Sequence, residues 1–561
     1  MCGIFALLNS ANRFSKEFIN IQFNKGKGRG PEHSILQPEF SNYILGFHRL
    51  AINGLNTLSN QPLILDNDII LICNGEIYNY KELYSMMNIK PNTDSDCEVI
   101  LHLYKYYGMS QTLRLLDGVF AFILIDMRII HEQPTRLYVA RDPFGVRPLY
   151  SLSSHTDSLI GFSSEIKSLI GFKNNNLSVD HFPPGYYDEY IHVRSKWEFS
   201  QSFRYHDIGF QSIINSNHPS YSMDNIYTNI AFYLKQAVFK RCSVSDRPIA
   251  CLLSGGLDSS IICALVCEYN KLHNLPPPET FSIGIHDSQD LIYSSQVAKH
   301  LNTKHTSICL NEDDFINEID NVIYAIESYD TTTIRASIGN YLLGKYISQN
   351  SQAKVIMNGD GADELCGGYL YFHCAPDSIE FDLECYRLLF NIHKYDVLRS
   401  DKSISSHGLE PRTPFLDRSF VNYYMSIPMR IRNHNITGHI EKYLLRNSFS
   451  KKHYGSQLLP DSVLSRSKEA FSDGVSKQNR SLFQIIDDYT KKISTNNTTL
   501  NTNFVTPTTN EQHYYTNIFN KYYNSCGSII DYYWMPKWVD ATDSSARTLK
   551  IYSTLNNNNN S

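Results

Sequence analysis

The chain is poor in the features that direct a protein to a membrane, a nucleic acid or the secretory route. No apolar run approaches bilayer length; Val119 to Ile125 is as long as any, against roughly 20 residues for a spanning helix. The N-terminus has neither the basic flank nor the long apolar core of a signal peptide. Neither charge sign dominates: 51 Lys and Arg against 56 Asp and Glu leave a net charge of -5, which gives no pull toward nucleic acid or anionic lipid. The 12 cysteines contain no paired Cys-x-x-Cys units of the kind that hold zinc. Cys263 and Cys267 read as small core residues on one helix face, and the other cysteines as free thiols of a reducing cytosol. These absences point to a cytoplasmic protein with neither membrane nor nucleic acid as a partner. At 561 residues, 42% hydrophobic and 19% charged, the chain has the length for two or more domains of ordinary globular composition.

A lysine is also absent where one class of phosphate loop would need it. The stretch Pro248 to Ser260 reads as a short apolar strand, the turn Ser254-Gly255-Gly256-Leu257-Asp258-Ser259-Ser260, and then a helix-spaced apolar run from Ile261 to Val266. Two glycines allow a tight turn whose N–H groups, with the hydroxyls and the positive end of the next helix, form a cradle for an oxyanion. A Walker loop would carry a lysine after the second glycine. Asp258 stands near that place instead, and it would repel a phosphate unless a Mg²⁺ bridged the two. A Gly-Gly turn alone would signify only a strand-to-helix connection. The full string resembles the pyrophosphate loop of the ATP pyrophosphatases, which split ATP to AMP and pyrophosphate.

Cys2 directly follows the initiator. Removing Met1 would leave its thiol beside a free α-amine of pKa about 8, able to serve as the base for its own side chain. A lone cysteine there would be a small residue opening a strand. It is joined by Gly46-Phe47-His48-Arg49-Leu50-Ala51-Ile52-Asn53, Asn60-Gln61-Pro62-Leu63, Cys73-Asn74-Gly75-Glu76-Ile77-Tyr78-Asn79-Tyr80 and Thr93-Asp94-Ser95-Asp96-Cys97-Glu98. Together these resemble the class-II glutamine amidotransferase domain, an antiparallel β-sandwich with an N-terminal cysteine nucleophile. The resemblance implies a glutamine site of Arg49, Leu50, Ala51, Ile52, Asn53, Asn74, Gly75, Glu76 and Asp96. Arg49 would pair with the α-carboxylate, Asp96 and the Gly75–Glu76 segment would hold the α-ammonium, and Asn74 with the Gly75 N–H would form the oxyanion hole. Asn-Gly by itself more often marks a hairpin turn. The pattern continues through Ala140 to Tyr150 and Ser163 to Lys167, and departs from the family at Gly28 to Glu32 and at Asp94.

From Met223 onward helix and strand alternate, which predicts a parallel sheet covered on both faces, with ligands at the carboxyl ends of its strands. One such end is Leu253; another is Met357, followed by Asn358-Gly359-Asp360-Gly361-Ala362-Asp363-Glu364 and Cys366-Gly367-Gly368-Tyr369. That segment resembles one in the asparagine synthetases, as do Glu327 to Ser337, Leu409 to Asp417 and Ser467 to Gly474. The resemblance implies an ATP site of Leu252, Ser254, Gly255, Gly256, Asp258, Ser259, Ile283, Asn358 and Gly359. It makes Asp363 the second Mg²⁺ carboxylate opposite Asp258. Thr332 and Arg335 would contact substrate or phosphates, Lys468 would stabilise pyrophosphate as it leaves, and Arg412 would be structural. Asp360 stands where the family has Glu, close to the adenylate and the arriving ammonia, and Asn358 stands for Ser.

The expected fold is an N-terminal antiparallel β-sandwich of the N-terminal nucleophile type (2–190), a linker (191–222), and a doubly wound α/β ATP-pyrophosphatase domain (223–545), with a disordered Asn-rich tail (546–561). The family resemblance implies glutamine-dependent amidation of aspartate through a β-aspartyl adenylate. Its substrates are aspartate, glutamine and ATP with Mg²⁺, and ammonia passes internally between the domains. A homodimer is implied by the family alone. The rivals are an amide-forming synthetase acting on another carboxylate, which would usually lose Cys2, Arg49 or Asn74, and a non-catalytic sensor or scaffold, against which Cys2, Asp258, Asp363 and Lys468 all argue.

Overall fold

A computed structural model of the chain describes residues 1–128, 134–208, 222–466, 468, 471–477, 480–493 and 503–549. Its N-terminal strands are β1 (Gly3–Leu8), β2 (His33–Leu36), β3 (Tyr43–Arg49), β4 (Leu63–Leu65), β5 (Ile69–Ile77), β6 (Gly118–Asp126), β7 (Arg136–Arg141), β8 (Tyr150–Ser153), β9 (Ile160–Ser163), β10 (Ser178–His181), β11 (Tyr186–Val193) and β12 (Lys196–Arg204). They form two six-stranded antiparallel sheets, ordered β10-β8-β9-β1-β3-β2 and β12-β11-β7-β6-β5-β4. Side chains alternate between faces along a strand, and the cores follow that rule. Ile4, Ala6 and Leu8 meet Ile70, Ile72, Ala121 and Ile123 between the sheets. Ile69, Leu71 and Cys73, on the other face of β5, pack against the helical segment Val99–Leu115. Both central strands are therefore apolar at nearly every position.

The linker expected from residue 191 starts too early. β11 and β12 continue the second sheet to Arg204, pairing antiparallel over their whole length, because the Ser-rich, charged exterior of an edge strand resembles a loop in composition. The Ser216–Ser220 stretch lies outside the described residues.

The second half adds β13 (Ile249–Leu252), β14 (Glu279–Ile285), β15 (Lys304–Leu310), β16 (Val355–Met357) and β17 (Glu410–Arg412). All four pairings are parallel, in the order β15-β14-β13-β16-β17. Cys251 and Leu253 face one core, which includes Ile261 and Leu265 of the Leu257–Leu272 helix. Ala250 and Leu252 face the other, with Ile334 and Ile338 of the Thr331–Asn350 helix. In sequence terms the order is 3-2-1-4-5, so the direction of winding reverses at β13. The loops after β13 and β16 open side by side into the crevice where such sheets bind ligands.

The chain also stays packed past the expected start of its tail. Residues 546–548 form a short helical turn, and Leu549 is buried in a cluster with Tyr371 and Trp534. The Asn-rich end lies outside the described residues. No helix among the described residues is long and apolar enough to cross a membrane.

Candidate functional site

Cys2 sits at the head of β1, where β1 pairs with β3 and Gly3 lies opposite His48. That register puts Cys2 beside the end of β3, at Arg49 and Leu50. Its half-buried thiol donates to Leu50 O at 3.5 Å, and burial pushes the thiol up to about 11. Arg49 spends its terminal nitrogens on the following loop, donating to Asn56 O at 3.0 Å, Asn60 Oδ1 at 2.7 Å, Asn53 O at 3.3 Å and Gly54 O. Ala51 and Ile52 use their backbone differently. Ala51 N donates to Glu32 Oε2 and its carbonyl accepts from Arg247, while Ile52 O accepts from Asp246 N. These bonds tie the loop to the approach of β13.

Asn74 and Gly75 lie inside β5, opposite Ala121 and Phe120 of β6, so the hairpin reading does not hold. Gly75 is required there because a Cβ would come within 2.5 Å of Val119 O. Asn74 is fully buried, yet neither polar atom of its carboxamide has a hydrogen-bond partner among the described residues. An unpaired buried amide costs stability, and a ligand oxygen and proton would satisfy it. Behind it, the Asn53 amide donates to Glu76 Oε2 and, at 3.5 Å, to Asp96 Oδ1. Burial pushes the Asp96 carboxyl up to about 6, opposed by the Ile77 N–H. Glu76 is pushed well above the usual carboxylate range by burial and then by its neighbours Glu410 and Asp96. Arg412 Nη2, 3.3 Å from Glu76 Oε2, offsets part of that cost, and two carboxyls this close favour a further positive group beside them.

In the second half, the loops after β13 and β16 and the start of the Thr331–Asn350 helix enclose a cavity of about 180 Å³. Leu252, Ser254, Gly256, Asp258, Ser259, Ile283, Thr332, Asn358, Gly359, Asp360, Asp363 and Lys468 all line it. Gly255, at φ +73° and with the Tyr293–Ser294 backbone 2.5 Å from any Cβ, makes the turn without lining the cavity. Within the turn, Gly256 N donates to Ser254 Oγ at 3.3 Å, and Ser254 Oγ is 3.0 Å from Ser259 Oγ. The two loops touch at Gly359, where a Cβ would lie 2.9 Å from Asp258 Cβ and from Ser259 N.

Asp360 and Asn358 lean on one helical turn. Arg399 Nη2 is 3.3 Å from Asp360 Oδ1 and 2.6 Å from Asp396 Oδ1, and Asn358 Nδ2 donates to Ser400 Oγ at 2.7 Å. Burial pushes the Asp360 carboxyl up against the pull of Arg399. Asp363 is held well below the usual range by Lys442 and then Lys468, against the effect of burial.

Arg335 is a correction. It lies three residues beyond Thr332 on the same helix and does not line the cavity. Its guanidinium is buried in bidentate pairs with Glu511 and Asp543, at 2.8 Å from Glu511 Oε1, Asp543 Oδ1 and Asp543 Oδ2. It anchors the C-terminal segment and has nothing to offer a phosphate. The Thr332 hydroxyl, in contrast, is buried without a hydrogen-bond partner among the described residues. Sequence reasoning missed Lys442, Arg399, Asp396 and Arg446, which also line the cavity. No glycine or string of hydroxyls flags Glu441-Lys442-Tyr443, and Lys442 meets Asp258 across 184 residues.

Comparison with known proteins fits both halves. A family model described as asparagine synthase matches residues 229–383 and 375–528, and one described as a glutamine amidotransferase domain matches residues 1–200. The asparagine synthetase [glutamine-hydrolyzing] of Gallus gallus is 39% identical over 98% of this chain and 99% of its own length. Those of Homo sapiens and Rattus norvegicus are 37% and 38% identical with the same coverage.

Proposed function

The chain belongs to the glutamine-hydrolysing asparagine synthetases, and from that premise we propose which of its residues carry each part of the reaction. It makes asparagine from aspartate with glutamine as nitrogen donor, and is a ligase. ATP is its co-substrate.

With Met1 removed, Cys2 attacks the side-chain amide of glutamine and its own α-amine takes the thiol proton. The Asn74 amide and the Gly75 N–H receive the oxyanion of the tetrahedral intermediate. Asp96, with Glu76, holds the α-ammonium. Arg49 reaches the α-carboxylate from the loop it braces, and the Leu50–Asn53 backbone forms the wall. In the other half, Ser254, Gly255, Gly256 and Ser259 cradle the triphosphate, with Leu252 and Ile283 as apolar walls for the base and Asn358–Gly359 closing over it. Thr332 donates to substrate or phosphate. Lys468 neutralises charge on departing pyrophosphate, and Asp360 takes the proton from ammonia as it attacks the adenylate.

Mg²⁺ fits the donors present. Among the described residues no three His, Cys, Asp or Glu converge on a metal position. Asp258 and Asp363 supply hard oxygens, and Asp258 Oδ1 is buried without a hydrogen-bond partner among those residues. Two carboxylates completed by substrate phosphates are the usual holding of this ion. Bound there, it would withdraw charge from the triphosphate.

The meeting of the β13 and β16 loops at Gly359 carries this assignment, because it puts the phosphate cradle, both carboxylates and Asp360 around one cavity. The test is to supply aspartate and ATP with either glutamine or ammonia, and to measure asparagine, AMP and pyrophosphate. Equal amounts of the three products from either nitrogen source are expected. ADP and phosphate in their place would overturn the assignment.

A further inference from the structure

Asp258 and Asp363 do not face each other across an open gap. The Lys442 ammonium lies between them, 2.6 Å from Asp258 Oδ2 and 2.5 Å from Asp363 Oδ1. Lys468 Nζ stands 2.6 Å from Asp363 Oδ2. Lys442 is 2% exposed, and its place is built into the backbone. Lys442 itself adopts a left-handed conformation, φ 58°, which a long side chain rarely takes. Residue 368 is glycine, and a Cβ there would collide with Lys442 Cε and Asp363 Oδ1.

The charges in this cluster cancel. Two carboxylates are balanced by two ammoniums, and one ammonium fills the position between the carboxylates where a shared cation would sit. A hard divalent ion needs negatively charged oxygens, so arriving alone it would meet a neutral cluster with a positive centre. A triphosphate brings the missing negative charge along with its own oxygens.

We propose that Lys442 is an internal counter-cation that holds the place of the divalent metal until nucleotide arrives, so that metal and triphosphate bind only together. This rests on the assignment of Asp258 and Asp363 as the metal carboxylates. The device solves a problem that paired carboxylates create. Left unneutralised they repel one another, and left open they would take up any hard divalent ion. The lysine keeps the pair assembled and keeps it closed to metal without nucleotide.

The experiment titrates Mn²⁺ into the full chain and reads free ion by electron paramagnetic resonance, first without nucleotide and then with a non-hydrolysable ATP analogue. The wild-type chain should show no saturable Mn²⁺ binding below the millimolar range alone, and one ion bound with the analogue. Lys442→Met should bind one ion without nucleotide, at least about tenfold more tightly than wild type, since a unit charge at contact distance has been removed. Adding Asp258→Asn to Lys442→Met should abolish that binding. Glutamine hydrolysis by the same samples reports folding, and Lys442→Gln replaces Met if Lys442→Met does not fold. Saturable wild-type binding without nucleotide that Asp258→Asn removes would overturn the proposal, as would a folded Lys442→Met chain with no gain. A different result would sink the underlying assignment instead: Mn²⁺ binding with the analogue that survives both Asp258→Asn and Asp363→Asn.

Discussion

The two candidate sites differ in how far their charges are paired. Around Cys2 the Asn74 carboxamide has no partner among the described residues, and burial raises both Asp96 and Glu76, with Arg412, 3.3 Å from Glu76 Oε2, as a counter-charge. Around Asp258 the charges are paired in advance, with Lys442 and Lys468 on the two carboxylates and Arg399 on Asp360. Glutamine is a zwitterion of no net charge, and a preformed dry pocket with fixed dipoles receives it without large reorganisation. Metal–triphosphate is highly charged, and a site prepared for it would be unstable when empty unless the chain supplied its own counter-ions. On the proposed function, each site is built for the charge of what it would bind.

The largest test of that contrast is whether the halves come apart. Cys2→Ala should abolish glutamine-dependent asparagine formation and leave the ammonia-dependent reaction near its parent rate; persistent glutamine-driven synthesis would remove Cys2 as the nucleophile. Conversely, Asp258→Asn and Asp363→Asn should each stop aspartate-dependent pyrophosphate release while glutamine hydrolysis continues. Normal pyrophosphate release in either variant would displace that carboxylate from the mechanism.

Asp360 sharpens the comparison within the second site. Asp360→Ala should lower ammonia-dependent synthesis by roughly 10²–10⁴-fold, the usual worth of a positioned base. Asp360→Glu should also slow it, though less. Asp360 and Asn358, the two positions read from the sequence as departures from the family pattern, both engage the Arg399–Ser400 turn, so the loop is expected to be seated for the shorter acid. A faster Asp360→Glu enzyme would show that the loop has not adjusted.

The smallest effect is in pH. A carboxyl raised to about 6 by burial is ionised above that pH and protonated below it, and only the ionised form holds an ammonium. The glutaminase kcat/KM should therefore fall about tenfold for each unit below pH 6, because this ratio reports the free enzyme. A ratio that stays flat down to pH 5 would detach Asp96 from substrate.

Much of both candidate sites was legible because their signals are local. A tight turn needs glycine, a strand buried on both faces shows as a continuous apolar run, and hydroxyls clustered at a helix start mark an oxyanion cradle. β13, its turn and the loop after β16 could be read in this way. Arg335 misled for the opposite reason. Its neighbours Thr331 to Ile334 belong to a site segment, but its partners Glu511 and Asp543 lie 176 and 208 residues away, beyond the stretch where any motif was read. The edge strand β12 was missed because the polar run Ser200-Gln201-Ser202 interrupts its Trp197, Phe199, Phe203 alternation and most of its residues are exposed.

The sequence by itself determined the two-part architecture and marked Cys2, the glycine turn after β13 and the acidic loop after β16 as candidates, since backbone conformation and the residue types within a few positions suffice to pick these out. The tertiary structure alone decided which charges cancel. Coulomb interactions depend on distance in space and on burial. Only folding brings Lys442 between Asp258 and Asp363, draws Arg335 away from the cavity, and leaves Asn74 without a partner among the described residues.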